Sequence, residues 1–234
     1  MKVELKTLYY LEEDGIASIV INMPPANKMT PQYLDEVVTV IMNYAVSTKM
    51  QGIIVRGEGR HYSSGADIEL LLNMIRANCT RTEDGQILPP ERNIDVKKAF
   101  HELYQCNIPV VSVIQGFCIG SGFELALQTH IRIAERGARV GFPETSFKLL
   151  PGINGTIRCI QEIGYKRAME FIIKGELIGC EDAYTDLLVD YIAEKRCGEN
   201  LAKDFIHYVN SENVGYSNKN ARRYFWEFLK VKTK

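Results

Sequence analysis

The sequence has few of the features that mark membrane, metal-binding or nucleotide-binding proteins. No uninterrupted apolar run approaches the ~18 residues that a membrane-spanning helix needs, and acidic residues interrupt the N-terminal region where a signal peptide would be apolar. The six cysteines form no C-x-x-C pair, and none lies beside a histidine at metal-ligand spacing. Neither G-x-G-x-x-G nor G-x-x-x-x-G-K-[ST] occurs, so no nucleotide-phosphate loop is indicated. We therefore expect a cytoplasmic protein with reduced thiols and no metal site.

An excess of charge of one sign is also missing. The chain has 28 basic and 29 acidic side chains, which give a formal net charge of -1. This balance offers no long-range attraction to nucleic acid or to an anionic membrane, and we expect neither as a partner. With 234 residues, of which 46% are hydrophobic and 24% charged, the composition is typical of a globular chain built on one main domain.

Strand–turn–helix units recur along the chain. Short apolar, β-branched runs predict strands, and apolar positions at helical spacing predict helices between them. Thr30 and Pro31 favour the start of one helix, because a threonine hydroxyl can cap it and proline suits its first turn. The predicted strands are 17–21, 53–56, 110–114 and 131–134, and the pattern beyond Lys195 is helical. The alternation predicts an α/β fold.

A single glutamate interrupts the most apolar part of the chain. Glu124 is the only formally charged residue between Glu102 and Arg132. Desolvation would raise the pKa of a carboxyl in such a place and let it exchange a proton near neutral pH. The alternative is that Glu124 lies on the exposed face of an amphipathic helix, although the apolar residues 125–127 leave no broad polar face for it. We interpret Glu124 as a candidate general acid or base.

Two turns that contain glycine precede predicted helices. Gly120-Ser-Gly122 lies just before Glu124, and Ser63-Ser-Gly-Ala66 leads into a helix predicted to begin near Asp67. The first turn of a helix presents N–H groups without intrahelical acceptors, and these can bind an anion or a developing oxyanion. Such a turn is equally a common way to begin a helix after a strand. The spacing in the sequence does not show whether the two turns meet.

These segments resemble, in the same order, three motifs of the crotonase (enoyl-CoA hydratase/isomerase) superfamily. The first is Arg60-His-Tyr-Ser-Ser-Gly-Ala-Asp-Ile-Glu-Leu70, and the second is the stretch 108–126. The third joins Phe142-Pro-Glu144 to Leu150-Pro-Gly-Ile-Asn-Gly-Thr156. The likeness covers about residues 3–192. It implies a crotonase-like spiral of ββα units in a core of residues 1–192, followed by a short helical C-terminal segment, 193–234, that serves oligomerisation.

The resemblance also implies a set of site residues. Carried over by position, the two hydratase glutamates fall on Glu124 and Glu144, and the two N–H groups of the oxyanion hole fall on Ala66 and Ser121. The residues expected to contact substrate and coenzyme A are Ala26, Ser64, Ala66, Asp67, Ile68, Gly120, Ser121, Pro143 and Gly152. No separate cofactor is implied, since coenzyme A is part of the substrate.

With both glutamates present, the resemblance favours hydration of 2-enoyl-CoA thioesters and dehydration of 3-hydroxyacyl-CoA thioesters. The first alternative is a Δ3,Δ2-enoyl-CoA isomerase or an acyl-thioester decarboxylase of the same fold. The second is a non-catalytic crotonase-like binding protein. The thioester carrier could be coenzyme A or an acyl-carrier protein.

Some features depart from the family pattern or concern assembly. Ser121 and Leu187 stand where the family usually has glycine. The polar stretch 76–93 is longer than in typical hydratases, and we predict a mobile loop there. The resemblance implies a homotrimer or a dimer of trimers, and an exposed set of aromatics in the tail would serve its contacts. That set is Tyr224, Phe225, Trp226 and Phe228.

Overall fold

The structure is a computed structural model that describes residues 1–67, 69, 72–73, 91–212 and 215–232. Its strands are Lys2–Glu4 (β1), Leu8–Glu13 (β2), Ile16–Ile21 (β3), Gly52–Gly57 (β4), Val110–Ile114 (β5), Phe117–Ile119 (β6), Ile131–Glu135 (β7), Arg139–Gly141 (β8), Leu177–Gly179 (β9) and Tyr191–Ala193 (β10). Its helices are Pro31–Val40 (α1), Glu91–Tyr104 (α2), Ser121–Ala126 (α3), Gly155–Ile163 (α4), Tyr165–Lys174 (α5), Cys180–Thr185 (α6), Gly198–Ser211 (α7) and Ala221–Lys232 (α8). A π-helical turn, Ile41–Ala45, continues α1, and a 3₁₀ helix covers Pro143–Phe147.

The strands form two sheets. The larger has seven strands in the order β1-β2-β3-β4-β5-β7-β10, and the smaller has the order β6-β8-β9. The pairs β1–β2 and β2–β3 are antiparallel, whereas β3, β4, β5, β7 and β10 pair in parallel. The carboxyl ends of these five strands therefore lie at one edge of the large sheet.

The predicted strands and the capped helix are present, whereas most of the helix predicted to begin near Asp67 lies outside the described residues. The four predicted strands correspond to β3, β4, β5 and β7, and the Thr30 hydroxyl caps α1 by accepting the N–H of Tyr33 at 3.2 Å. The interleaving of strands and helices confirms the α/β prediction. Residues 91–93, expected in the loop, form the first turn of α2 instead, since a polar composition suits a helical turn as well as a loop. The rest of the predicted loop, 76–90, lies outside the described residues, so its mobility stays a prediction.

Both faces of the large sheet are covered. In β4, Ile53 points into one apolar cluster, which contains Phe100 of α2, and Ile54 points into another, which contains Phe205 of α7. This alternation follows from the two-residue period of a strand. A parallel sheet is stable when both faces are buried, and here the C-terminal helices cover the second face.

The C-terminal aromatics correct one expectation. Tyr224, Phe225 and Phe228 are only 7%, 0% and 5% exposed, because α8 packs them against α7 and the sheet of the same chain. Only Trp226, which is 45% exposed, fits the prediction of an exposed aromatic set. The prediction is wrong for the other three. The oligomeric state stays a prediction, without support from this set.

Buried charges join α8 to the core. The guanidinium of Arg132, which is 1% exposed, lies 2.9 Å from the carboxylate of Glu162 and 3.3 Å from that of Asp190. Arg222 of α8 also pairs with both Glu162 and Asp190. The nearby arginines hold the pKa of Glu162 below its usual value, against the effect of burial. Two carboxylates are thus shared between the core and the last helix.

Leu187 has a φ of 61°, which lies in the left-handed region. Glycine adopts this conformation at lower cost than a side chain with a Cβ. This backbone conformation explains why glycine would suit position 187, where the family pattern has it.

Three absences hold for the part of the chain that the structure describes. No helix there is long and apolar enough to cross a membrane. The five cysteines within the described ranges form no disulfide, while Cys79 lies outside them. No group of three or more His, Cys, Asp or Glu side chains among the described residues is placed to hold a metal ion.

Candidate active site

The two glycine turns lie side by side in the fold. The N–H of Ser63 donates to the carbonyl of Phe117 at 2.9 Å, and the N–H of Ile119 donates to the carbonyl of Ser63 at 3.0 Å. A Cβ at Gly65 would lie 2.6 Å from the carbonyl oxygen of Ile119, and a Cβ at Gly122 would lie 2.7 Å from the Cβ of Ser63. Only glycine permits two backbones to approach this closely. The turn at 63–66 is therefore held against the start of α3.

A cavity of about 210 Å³ lies beside the two turns. Most of the predicted site residues line it: Ser64, Ala66, Gly120, Ser121, Glu124, Pro143, Glu144 and Gly152. The remaining lining is Met29, Leu34, Gly65, Ile119, Phe147, Leu149, Leu150 and Ile153. Four of these residues, Gly65, Ile119, Leu150 and Ile153, lie within the crotonase-like motifs, whereas Met29, Leu34, Phe147 and Leu149 were not predicted at the site. The latter four come from the segment before α1, from α1, from the 3₁₀ helix and from the loop after it, and no local pattern distinguishes them from core residues.

Glu124 is buried in the first turn of α3, beside the cavity. Its side chain is 2% exposed, and its Oε1 accepts the N–H groups of Ile153 at 2.6 Å and Gly155 at 2.8 Å. Burial raises the pKa of Glu124 to about 7, helped by the charge of Glu144 and opposed by the two N–H donors. The alternative that this carboxyl lies on an exposed helix face is therefore wrong.

Glu144 enters the same cavity from the 3₁₀ helix. It is 8% exposed, and its Oε2 is buried without a hydrogen-bond partner among the described residues. A Cβ at Gly120 would lie 2.7 Å from its Oε1, so glycine makes room for the carboxyl at that turn. Burial raises the pKa of Glu144 to about 7. Two buried carboxyls with raised pKa values thus share one mainly apolar cavity.

Two backbone N–H groups of residues that line the cavity have no backbone acceptor among the described residues. Met29 and Ala66 form a parallel bridge, in which Met29 donates to Gly65 at 2.8 Å and accepts from Asp67 at 3.4 Å. In such a bridge the central residue, Ala66, directs its own N–H away from the partner strand. Ser121 is the first residue of α3, so its N–H has no intrahelical acceptor. The Ser121 hydroxyl is also buried without a partner among the described residues.

Three predicted contact residues lie outside the described cavity lining. The carbonyl of Ala26 accepts the N–H of Ser64 at 2.9 Å, so Ala26 supports the turn from behind. The carboxylate of Asp67 pairs with Lys28 at 3.0 Å near the surface. Ile68 is outside the described residues. Their contact with coenzyme A stays a prediction.

The comparisons with known proteins agree with this geometry. The family model for enoyl-CoA hydratase/isomerase matches residues 12–203. The chain belongs to this family. It is 33% identical over 168 residues to a probable enoyl-CoA hydratase of Bacillus subtilis (strain 168), a match that covers 72% of this chain and 62% of that protein. The chain thus spans less than two thirds of that relative's length.

Solved structures show the same fold. A crystal structure of an enoyl-CoA hydratase from Bacillus anthracis is similar with a TM-score of 0.75 at 24% identity, over 88% of this chain and 77% of that chain. A putative enoyl-CoA hydratase from Thermobifida fusca YX, in complex with acetoacetyl-CoA, is similar with a TM-score of 0.70 at 21% identity, over 97% and 88% of the two chains. The predictions of a crotonase family member and a crotonase-like fold are confirmed.

Proposed function

We propose that this member of the enoyl-CoA hydratase/isomerase family hydrates 2-enoyl-CoA thioesters and dehydrates 3-hydroxyacyl-CoA thioesters. The observation that carries the proposal is the pair of buried carboxyls, Glu124 and Glu144, whose pKa values are both raised to about 7 in one cavity. The acetoacetyl-CoA complex of the Thermobifida relative supports a coenzyme A thioester as the ligand class. No further cofactor takes part in this chemistry.

In the proposed reaction the thioester carbonyl oxygen accepts hydrogen bonds from the N–H groups of Ala66 and Ser121. When water adds to C3, electron density moves through C2 to this oxygen, so both donors bind the enolate-like transition state more tightly than the substrate. Removal of one such donor typically costs roughly 10²–10³ in rate. The backbone origin of both donors makes them insensitive to side-chain substitution, provided that the turn keeps its shape.

Glu124 and Glu144 would hold the water and move its protons. The Oε1 of Glu124 is engaged by two N–H groups, whereas the Oε2 of Glu144 is buried without a partner and suits a bound water. Two neighbouring carboxyls with similar pKa values titrate as a pair and share a proton near neutral pH. One carboxylate accepts a proton from the water as the new C3–O bond forms, and a carboxyl donates a proton to C2. Dehydration reverses these steps.

A thioester panel tests the proposal. Purified protein is incubated with 2-enoyl, 3-enoyl, 3-hydroxyacyl and 2-carboxyacyl thioesters, each on coenzyme A and on an acyl-carrier protein, in ¹⁸O-labelled water. We expect 2-enoyl-CoA to gain one labelled oxygen, as read by mass spectrometry. Migration of the double bond of 3-enoyl-CoA alone would identify an isomerase, and loss of CO₂ a decarboxylase. Thioester binding without turnover of any panel member would identify a binding protein.

A further inference from the structure

A second cavity lies at the carboxyl edge of the large sheet. It has a volume of about 800 Å³, and residues that follow four parallel strands line it: Arg60 after β4, Gly116 after β5, Arg136 after β7 and Lys195 after β10. Among the described residues, the candidate active site and this carboxyl-edge cavity share no lining residue. In open α/β sheets the crevice outside the carboxyl ends of the strands is where ligands bind. The proposed hydration leaves this crevice without a role.

The carboxyl-edge cavity is strongly basic. Its ionised lining consists of Arg60, Arg136, Arg139, Lys195, Arg196 and Glu135. Arg136 is neutralised by Glu194 at 2.9 Å, and the Glu135 carboxylate accepts the N–H of Gly198 at 3.2 Å. The other four cations have no carboxylate partner within the part of the chain that the structure describes. Because the whole chain is nearly neutral, four unpaired cations around one crevice favour an anion as its ligand.

An aromatic surface accompanies these cations. The rings of His61 and Phe117 stack with centroids 4.8 Å apart and planes 10° apart, and Phe117 is 37% exposed. The Nδ1 of His61 accepts the N–H of Phe117 at 3.0 Å, so in neutral His61 the Nε2 carries the proton. Burial and the charge of Arg60 lower the pKa of His61, which favours this neutral form. An exposed aromatic ring beside cations is the pairing with which proteins bind nucleotides, through base stacking and phosphate contacts.

We propose that the carboxyl-edge cavity binds a nucleoside diphosphate. Arg60, Lys195 and Arg196 would contact the two phosphates, and the base would stack on Phe117. The volume lies within the range of small-molecule sites, roughly 300–1,000 Å³. The proposal is independent of the hydration reaction, because it rests on residues that the candidate active site does not contain.

Calorimetric titration of the whole chain with ADP, inorganic pyrophosphate and adenosine tests the proposal. We expect ADP to bind to wild type. The double variant Arg60→Gln, Arg196→Gln should lower the affinity for both ADP and pyrophosphate by at least roughly tenfold, since both substitutions remove charge-assisted hydrogen bonds. Phe117→Leu keeps an apolar side chain but removes the stacking surface. It should weaken ADP by roughly fivefold or more and leave pyrophosphate unchanged.

The matched control is Lys166→Gln with Lys230→Gln, which removes two charges from exposed positions outside the carboxyl-edge cavity. Its ADP affinity should equal that of wild type, and thermal melting should show all variants folded. ADP is also a part of coenzyme A. If ADP bound at the active site instead of the carboxyl-edge cavity, the double variant Arg60→Gln, Arg196→Gln would keep the wild-type affinity for ADP. Unchanged ADP affinity in that variant, or no binding of ADP to wild type at millimolar concentration, would overturn the proposal.

Discussion

The burial of Glu124 and Glu144 has a structural cost and, in the proposed reaction, a chemical use. A carboxyl with a partner-poor, buried environment is expensive to ionise, yet a pKa near neutrality suits proton exchange at the pH of the cell. In Glu124 two N–H donors from the start of α4 fix the orientation of the carboxyl. In Glu144 one oxygen has no partner among the described residues, which leaves it for a ligand.

Replacement of either glutamate by glutamine should reduce turnover with little change in fold. Glutamine has nearly the same volume but cannot exchange the proton, so we expect Glu124→Gln and Glu144→Gln each to lower kcat for 2-enoyl-CoA hydration by at least roughly 10². The double variant should lose much less than the product of the single effects, because the two groups act as a unit. Steady-state kinetics check this, with exposed Glu13→Gln as the control. Near wild-type hydration by each single variant would mean that these carboxyls are only structural.

The same pair should make stability depend on pH. The folded-state pKa of each glutamate is about 7, above the ordinary 4.5, so between these values the native state holds more protons than the unfolded chain. The stability that the two protonated glutamates contribute to the folded state is therefore fully present below about pH 4.5 and is lost as the pH rises through about 7. Denaturant titrations measure the free energy of unfolding of wild type and of the double variant Glu124→Gln, Glu144→Gln. The difference, wild type minus double variant, should fall as the pH rises over this range. A pH-independent difference would contradict raised pKa values.

At the scale of elements, the start of α4 positions Glu124. A Cβ at Gly155 would lie 2.6 Å from the Oε1 of Glu124, although the φ of Gly155 does not require glycine. Gly155→Ala should therefore displace the carboxyl and lower kcat by roughly tenfold or more, since a misplacement of about 1 Å can cost 10². Gly215→Ala, where nothing lies within 4 Å of the new methyl group, is the matched control. Equal kcat in the two variants, with unchanged circular dichroism, would show that Glu124 needs no such positioning.

The charged network behind the sheet concerns the attachment of α8. Arg132→Met removes a buried cation and leaves Glu162 and Asp190 with fewer partners, so we expect the free energy of unfolding to fall by about 3–5 kcal/mol. Arg136→Met breaks an exposed pair with Glu194 and should lower the free energy of unfolding far less, because solvent screens that pair. Urea denaturation of both variants measures the difference. Similar values would mean that water reaches the network around Arg132.

At the scale of the whole molecule, we predict a homotrimer or a dimer of trimers, on the strength of the family resemblance. The tail aromatics no longer support this, but Tyr165 and Ile173 of α5 are 69% and 64% exposed in the single chain and would favour burial in a contact. Light scattering should give three or six chains per particle for wild type. Tyr165→Arg with Ile173→Arg should lower this mass, whereas Trp226→Arg should not. A monomer of wild type at micromolar concentration would contradict the prediction.

Local patterns in the sequence determined much of this protein. The cap at Thr30, the apolar runs of β3, β4, β5 and β7 and the solitary charge of Glu124 act over a few residues, so a helix start, four strands and a candidate carboxyl could be predicted from them. The crotonase motifs, which join such patterns in a fixed order, indicated Glu144 and the two N–H donors as well. These predictions needed no knowledge of which segments touch.

Tertiary structure alone decided what depends on contacts between distant segments. The approach of Gly65 to Ile119 joins the two turns, and chain folding over more than fifty residues sets it. The burial of Tyr224, Phe225 and Phe228 depends on where α8 packs, because an aromatic run suits a subunit contact and an intrachain core equally well. The basic carboxyl-edge cavity likewise assembles cations from separate loops, since parallel strands bring their carboxyl ends together whatever their distance along the chain.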